Sequence, residues 1–164
     1  MNSVPANAPD RPRVIAPPPL IATVVVVIGL YLDRTLPAYV LETMLTLNER
    51  IVVGALIAFG GGALAVMAER QFRTVGTNVQ PWKPTLRIAT EGVYSRMRNP
   101  MYIGLLLLTG GIGVGLASDW TLALLAPMAL VLHFGVVKRE ERYLEAKFGD
   151  TYRRYMAKVP RWGL

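Results

Sequence analysis

The chain has no cysteine and only one histidine, His133. The first absence excludes disulfides, thiolate nucleophiles and zinc–thiolate centres, and leaves the compartment open. The second excludes a multi-histidine metal centre within one chain, so no metal site is expected. Charge is scarce, at 18% of 164 residues, and acidic charge is scarcer, with 11 Asp and Glu against 18 Lys and Arg. A net charge of +7 coexists with 52% hydrophobic residues. Soluble domains seldom combine the two, because long apolar runs call for lipid and push charge to their ends. A pI ≈ 10.1 also suits nucleic acid. Here the basic residues flank apolar runs, so the lipid bilayer is the expected partner and nucleic acid is not.

What is present is an all-α integral membrane pattern. Four transmembrane helices are expected, at about residues 16–32, 51–68, 101–117 and 120–137. Pro17, Pro18 and Pro19 can stand only at the start of the first. Arg11 and Arg13 before an apolar stretch resemble a signal peptide, but no Ala-x-Ala-like cleavage site follows, which predicts a retained span. Residues 1–13 read as a disordered cytoplasmic N-terminus and 14–164 as one membrane domain. Ser118-Asp119 makes a minimal turn between the last two spans, either residue able to cap the fourth helix. Lys and Arg number two between Asp33 and Arg50, none in the Asp119 turn, six from Glu69 to Arg98 and eight from Lys138 onward. The positive-inside rule then places both termini and the loop 69–100 in the cytoplasm, at the inner membrane if the cell is bacterial.

The Gly110–Gly115 run lies inside the third span, with no strand before it, so close helix packing rather than phosphate binding is expected. Gly60-Gly61-Gly62 reads the same way. Beyond Val137 the helix continues into a tail, 138–164. There Leu144, Phe148, Tyr152, Tyr155 and Val159 form one side and Arg153, Arg154 and Lys158 the other. Gly149 can end one helix and Asp150 cap the next. This predicts an amphipathic lid on the membrane surface, with Trp82 and Trp162 suited to the interface.

Chemistry gathers at the two feet of the last hairpin. Gly92-Val93-Tyr94 and Arg98-Asn99-Pro100-Met101-Tyr102 precede it, and Lys138-Arg139-Glu140-Glu141 follows it. His133, Val137, Glu140, Leu144 and Phe148 fall at helical spacing, so one face is expected to carry the carboxylate and the histidine. Ionisable groups at membrane depth meet a partner or line a cavity. Glu140 and Glu141 could instead pair with Arg87, Arg96 or Arg98. Asn99 and Pro100 suit the cap and first turn of the third helix. Tyrosine faces can hold a base or a sulfonium, arginine a carboxylate, and glutamate an ammonium. Together they suit a zwitterionic, nucleotide-like cofactor bearing an extra positive charge.

Ile88-Ala89-Thr90-Glu91-Gly92-Val93-Tyr94, Arg98-Asn99-Pro100-Met101-Tyr102-Ile103-Gly104, Glu140-Glu141, and Phe148-Gly149 with Tyr152, Tyr155 and Val159-Pro160-Arg161 resemble the isoprenylcysteine carboxyl methyltransferase family. They are also similar to the membrane phospholipid methyltransferases. The resemblance spans roughly Arg73 to Trp162. It implies an integral membrane methyltransferase that takes S-adenosylmethionine from the cytosol and a lipid or isoprenoid-like acceptor from the bilayer. Cofactor contacts would map to Gln80, Leu86, Arg87, Ile88, Ala89, Gly92, Tyr94, Asn99, Pro100, Met101, Tyr102 and Glu140. Two departures stand out. Asn99 replaces the family's histidine and cannot titrate, and Val136 replaces an arginine associated with the substrate carboxylate, leaving His133 and Arg139 as the nearest polar substitutes. Catalytic candidates are Arg98, Asn99, His133 and Glu141, the last two as bases if the acceptor is an amine. A membrane reductase using NADPH and a four-helix membrane protein without enzymatic activity are the alternative readings.

Overall fold

The computed structural model describes residues 10–80 and 83–163. Trp82, expected at the interface, and residues 1–9 of the expected disordered N-terminus lie outside them. Among the described residues every regular element is helical. Prolines fill the first positions of α1 (Pro18–Thr35), where a missing N–H costs nothing. A short α2 (Val40–Met44) leads to α3 (Leu47–Thr74), which opens with a capping box. The Thr46 hydroxyl accepts from the Glu49 N–H while the Glu49 carboxylate accepts from the Thr46 N–H. After an irregular segment with a 3₁₀ turn at Gly92–Ser95 come α4 (Pro100–Gly115), α5 (Asp119–Phe148) and α6 (Asp150–Lys158).

α5 is not uniform. It breaks at Leu124, because Pro127 lacks the N–H that would meet the Ala123 carbonyl, and it widens into a π turn over His133–Val137. α1, α3 and α5 are each long and apolar enough to cross a bilayer. Of the four spans expected, the third falls short of that length. α4 has 16 residues, about 24 Å of rise against a hydrocarbon core of about 30 Å. It stops early because Ala117 takes a left-handed φ of 53° and turns the chain back.

Glycine sets the closest packing. α3 and α4 run antiparallel, with Gly54 facing Gly111 and Gly61 facing Gly104. A Cβ on Gly54 would lie 2.6 Å from the Gly111 carbonyl oxygen, and one on Gly104 would lie 2.6 Å from that of Gly61. The two pairs are seven residues apart on each helix, so both fall on one face. The expected packing role therefore holds for Gly61, whereas Gly60 and Gly62 meet nothing within 4 Å. On the other side α1, α4 and α5 enclose Ala22, Met128, Leu132 and Val136. Outward faces stay apolar, as for Phe59 at 77% exposure, which suits lipid.

At the far end of the bundle Ser118 caps α5, accepting from the Thr121 N–H at 3.1 Å, and it donates to Asp33. Asp119 serves a different helix, accepting from the N–H groups of Val40 and Leu41 at 2.8 and 3.0 Å. At the near end Gly149 (φ 53°) ends α5 as expected, while Asp150 accepts from the Arg153 guanidinium instead of capping α6.

Replacing Gly111 by Ala is expected to destabilise the protein by about 1–3 kcal/mol through backbone overpacking. Gly60→Ala should be neutral or slightly stabilising, because its Cβ enters open space. Thermal unfolding of both variants in the same detergent checks the contrast.

Candidate active site

Helix α4 starts and α5 leaves the apolar bundle at the same end, which brings residues about forty positions apart into contact. The Tyr102 hydroxyl, in the first turn of α4, donates to Glu140 at 2.8 Å from either carboxylate oxygen. No cation is placed on Glu140 among the described residues. Its neighbour is the opposite case. Glu141 is buried and accepts a two-pronged contact from Arg161, Nε at 2.9 Å and Nη2 at 2.6 Å, with Arg98 Nη1 a further 3.3 Å away. Adjacent glutamates point to different sides of a helix, so one is consumed by ion pairing and the other is left free.

The C-terminal segment makes that division possible. The Arg98 N–H donates to the Pro160 carbonyl at 3.0 Å, and the Asn99 amide donates to the Arg161 carbonyl at 3.1 Å. Asn99 thus occupies the cap position of α4 without capping it, because its side chain is taken by the tail. The Arg98 side chain is 10% exposed, and its Nε and Nη1 have no hydrogen-bond partner among the described residues.

Around these groups lies a cavity that opens to solvent, its non-atom space about 790 Å³ with that open solvent included. Eleven of the expected cofactor or catalytic residues border it: Gln80, Arg87, Ile88, Ala89, Tyr94, Arg98, Asn99, Met101, Tyr102, Glu140 and Glu141. The loop carrying Gln80 to Ala89 folds back on itself. Thr77 Oγ1 accepts from the N–H groups of Leu86 and Arg87, at 2.9 and 3.3 Å, and the Asn78 amide donates to the Pro84 carbonyl at 2.8 Å. Tyr94 is buried, stacks on Phe72 with ring centres 5.0 Å apart, and its carbonyl accepts from the Tyr155 hydroxyl at 2.7 Å. Burial pushes the Tyr94 hydroxyl above its usual range and that of Tyr155 to about 12, so both stay neutral at physiological pH.

Five expected residues are not part of this wall. Leu86 is exposed, Gly92 holds a left-handed turn (φ 60°), and Pro100 is fully buried away from the cavity lining. His133 lies against Trp162 with ring centres 5.9 Å apart, and Arg139 donates to the Arg13 carbonyl at 2.9 Å. The shared face expected for His133 and Glu140 fails because the π turn between them adds residues to the helical ring and rotates the helix beyond it. Conversely Phe72, Asn78, Thr85, Tyr143, Tyr152 and Tyr155 border the cavity. Tyr152 and Tyr155 stand out in sequence as the apolar side of the tail and as part of the family resemblance, not as cavity residues, and Phe72, Asn78, Thr85 and Tyr143 give no signal there.

Comparisons with known proteins agree with this arrangement. Residues 49–151 match the model of the phospholipid methyltransferase family. Over 64 residues, 38% of this chain, the sequence is 44% identical to an uncharacterized protein of Haemophilus influenzae, of which the match covers 98%. Over 74 residues it is 34% identical to the protein-S-isoprenylcysteine O-methyltransferase of Schizosaccharomyces pombe, covering 44% of this chain and 31% of that one. The figures for protein-S-isoprenylcysteine O-methyltransferase B of Arabidopsis thaliana are 34% over 74 residues, with 45% and 38% covered. The matched stretch therefore spans about a third of the length of these two relatives. No solved structure matches. With apolar helices of crossing length, the split glutamates at their mouth and a family match over more than half of its residues, the chain is a membrane protein of the phospholipid methyltransferase family.

Proposed function

We propose that the chain is a membrane methyltransferase that uses S-adenosylmethionine and acts on a lipid-like carboxylate at the cytoplasmic face. The observation that carries this reading is the split pair. Among the described residues Glu140 has no ion-pair partner, and Arg98, lining the same cavity, has a buried Nε without a hydrogen-bond partner. A zwitterionic amino-acid moiety fits that polarity, with its ammonium on Glu140 and its carboxylate on Arg98. The faces of Tyr94, Tyr152 and Tyr155 suit a sulfonium or a base. When bound, S-adenosylmethionine supplies a methyl group already activated for displacement.

The chain itself then has to hold donor and acceptor in line and exclude water. Positioning of this kind is worth on the order of 7–11 kcal/mol of barrier in well-oriented systems. A carboxylate acceptor loses no proton on methylation. That suits a site where His133 packs against Trp162 and Glu141 is committed to Arg161. Asn99, tied to the tail, positions the start of α4 and carries no proton.

Topology supports the cytoplasmic assignment. Of the 18 Lys and Arg residues, only Arg34 and Arg50 belong to the far end. We take α4 as the third of four crossings, because the tight turn at Ser118 returns the chain directly into α5. α6 then lies at the membrane surface, with Tyr152 buried and Arg153, Arg154 and Lys158 exposed.

Glu140→Gln should weaken S-adenosylmethionine binding about tenfold or more, the loss of one charge-assisted hydrogen bond of roughly 1.5–3 kcal/mol, and leave the unfolding temperature nearly unchanged. Transfer of labelled methyl to membrane lipid extracts, run at limiting cofactor, should fall in step; unaltered affinity and transfer would remove Glu140 from the site. Glu141→Gln is expected to do the reverse. It leaves two arginines without their counter-charge, costs about 3 kcal/mol of stability, and largely retains cofactor affinity in the protein that remains folded.

A further inference from the structure

We propose that Asp10–Ile15 is a strap that closes over the cavity, latched by Asp10 on Lys147 and Tyr143 and hinged at Ile15. Its role in cofactor exchange rests on the methyltransferase reading; its role as a cover does not. Pro12, in the middle of the strap, is buried and forms part of the cavity wall. At one end Asp10 accepts from Lys147 Nζ, at 2.6 and 2.8 Å to its two oxygens, and from the Tyr143 hydroxyl at 2.8 Å. The same hydroxyl accepts from the Thr85 N–H at 3.1 Å. The latch is thereby wired to the loop that forms the facing wall.

The other end is keyed into the π turn. The Ile15 N–H donates to the Gly135 carbonyl at 3.2 Å, and the Ile15 side chain sits where any Cβ on residue 135 would stand. A widened helical ring departs from the regular i+4 ladder, and here one of its carbonyls serves an outside partner. Between the two ends Arg139 donates to the Arg13 carbonyl. This gives Gly135 and Arg139, which the catalytic site does not use, a common purpose.

The two ends differ in kind. Ile15, 52% exposed, is held by its backbone hydrogen bond to Gly135 and by the seat of its side chain over that glycine, whereas Asp10 is held by an ion pair whose side chains are 59% and 25% exposed. Hydrogen bonds from Lys147 and Tyr143 hold the Asp10 carboxyl below its usual range. Exposed ion pairs are weak and screened by salt. A tie of that kind opens readily, as a cover over an exchanging ligand must, and it opens at the Asp10 end.

The natural absence of cysteine makes the test direct. Leu144→Cys places a single thiol in the cavity wall of the whole 164-residue chain, and its modification rate by a water-soluble methanethiosulfonate reports whether the cavity is covered. Adding Asp10→Ala, or separately Lys147→Met, should raise that rate about threefold to fivefold, the scale of losing one exposed ion pair. High salt should do the same to the latched protein alone. Release of labelled S-adenosylmethionine should quicken by a similar factor. Equal modification rates with and without the latch, at equal unfolding temperature, overturn the strap. Faster modification in proteins that bind no S-adenosylmethionine keeps the strap and sinks the methyltransferase reading instead.

Discussion

The two-pronged contact of Arg161 with Glu141 is the tie on which the site depends. A buried carboxylate at the edge of a membrane bundle is costly unless it is paired. Here the pairing comes from a residue twenty positions further along, after the chain has turned at Gly149 and run through α6. Satisfying Glu141 draws the tail across the start of α4, where Pro160 and Arg161 accept from Arg98 and Asn99. The tail in turn seats Tyr155 on the Tyr94 carbonyl. One ion pair therefore closes the cavity from the C-terminal side. It also leaves Arg98 half satisfied and Glu140 without a cation among the described residues.

The apolar part of the chain prepares this arrangement without taking part in it. Paired glycines let α3 and α4 approach until backbone meets backbone, which fixes where Tyr102 emerges. The π turn then rotates the end of α5 so that Glu140 faces Tyr102 and Glu141 faces Arg161. Regular helix through His133–Val137 would carry both carboxylates elsewhere. Widened turns of this kind recur at functional sites.

Most of the site is legible in the sequence because its residues are local and chemically unusual. Tyr94, Arg98, Tyr102 and Glu140 are polar groups at the mouths of apolar runs, and their charge and spacing suffice to group them. The remainder depends on contacts that no local pattern encodes. Asn99 has every mark of a helix cap and is diverted by a carbonyl 62 residues away. His133 shares a 3.6-residue face with Glu140 only if the helix is regular, and it is not. Hydropathy likewise finds the apolar runs but not their ends. The left-handed turn at Ala117 shortens α4, while α3 runs past its apolar stretch as far as Thr74. Composition marks Asp10–Arg13 as disordered, yet the segment lies along α5 with Asp10 on Lys147; composition registers a poor core former and not a strap with a waiting partner.

The central claim is that the cavity between Glu140 and Arg98 holds a zwitterionic methyl donor. Calorimetric titration of the detergent-purified, folded protein with S-adenosylmethionine, and in parallel with NADPH, tests it most directly. The predicted result is saturable binding of S-adenosylmethionine at one site per chain and none of NADPH. Binding of NADPH without S-adenosylmethionine would contradict it, and so would heat from neither in lipid-supplemented samples.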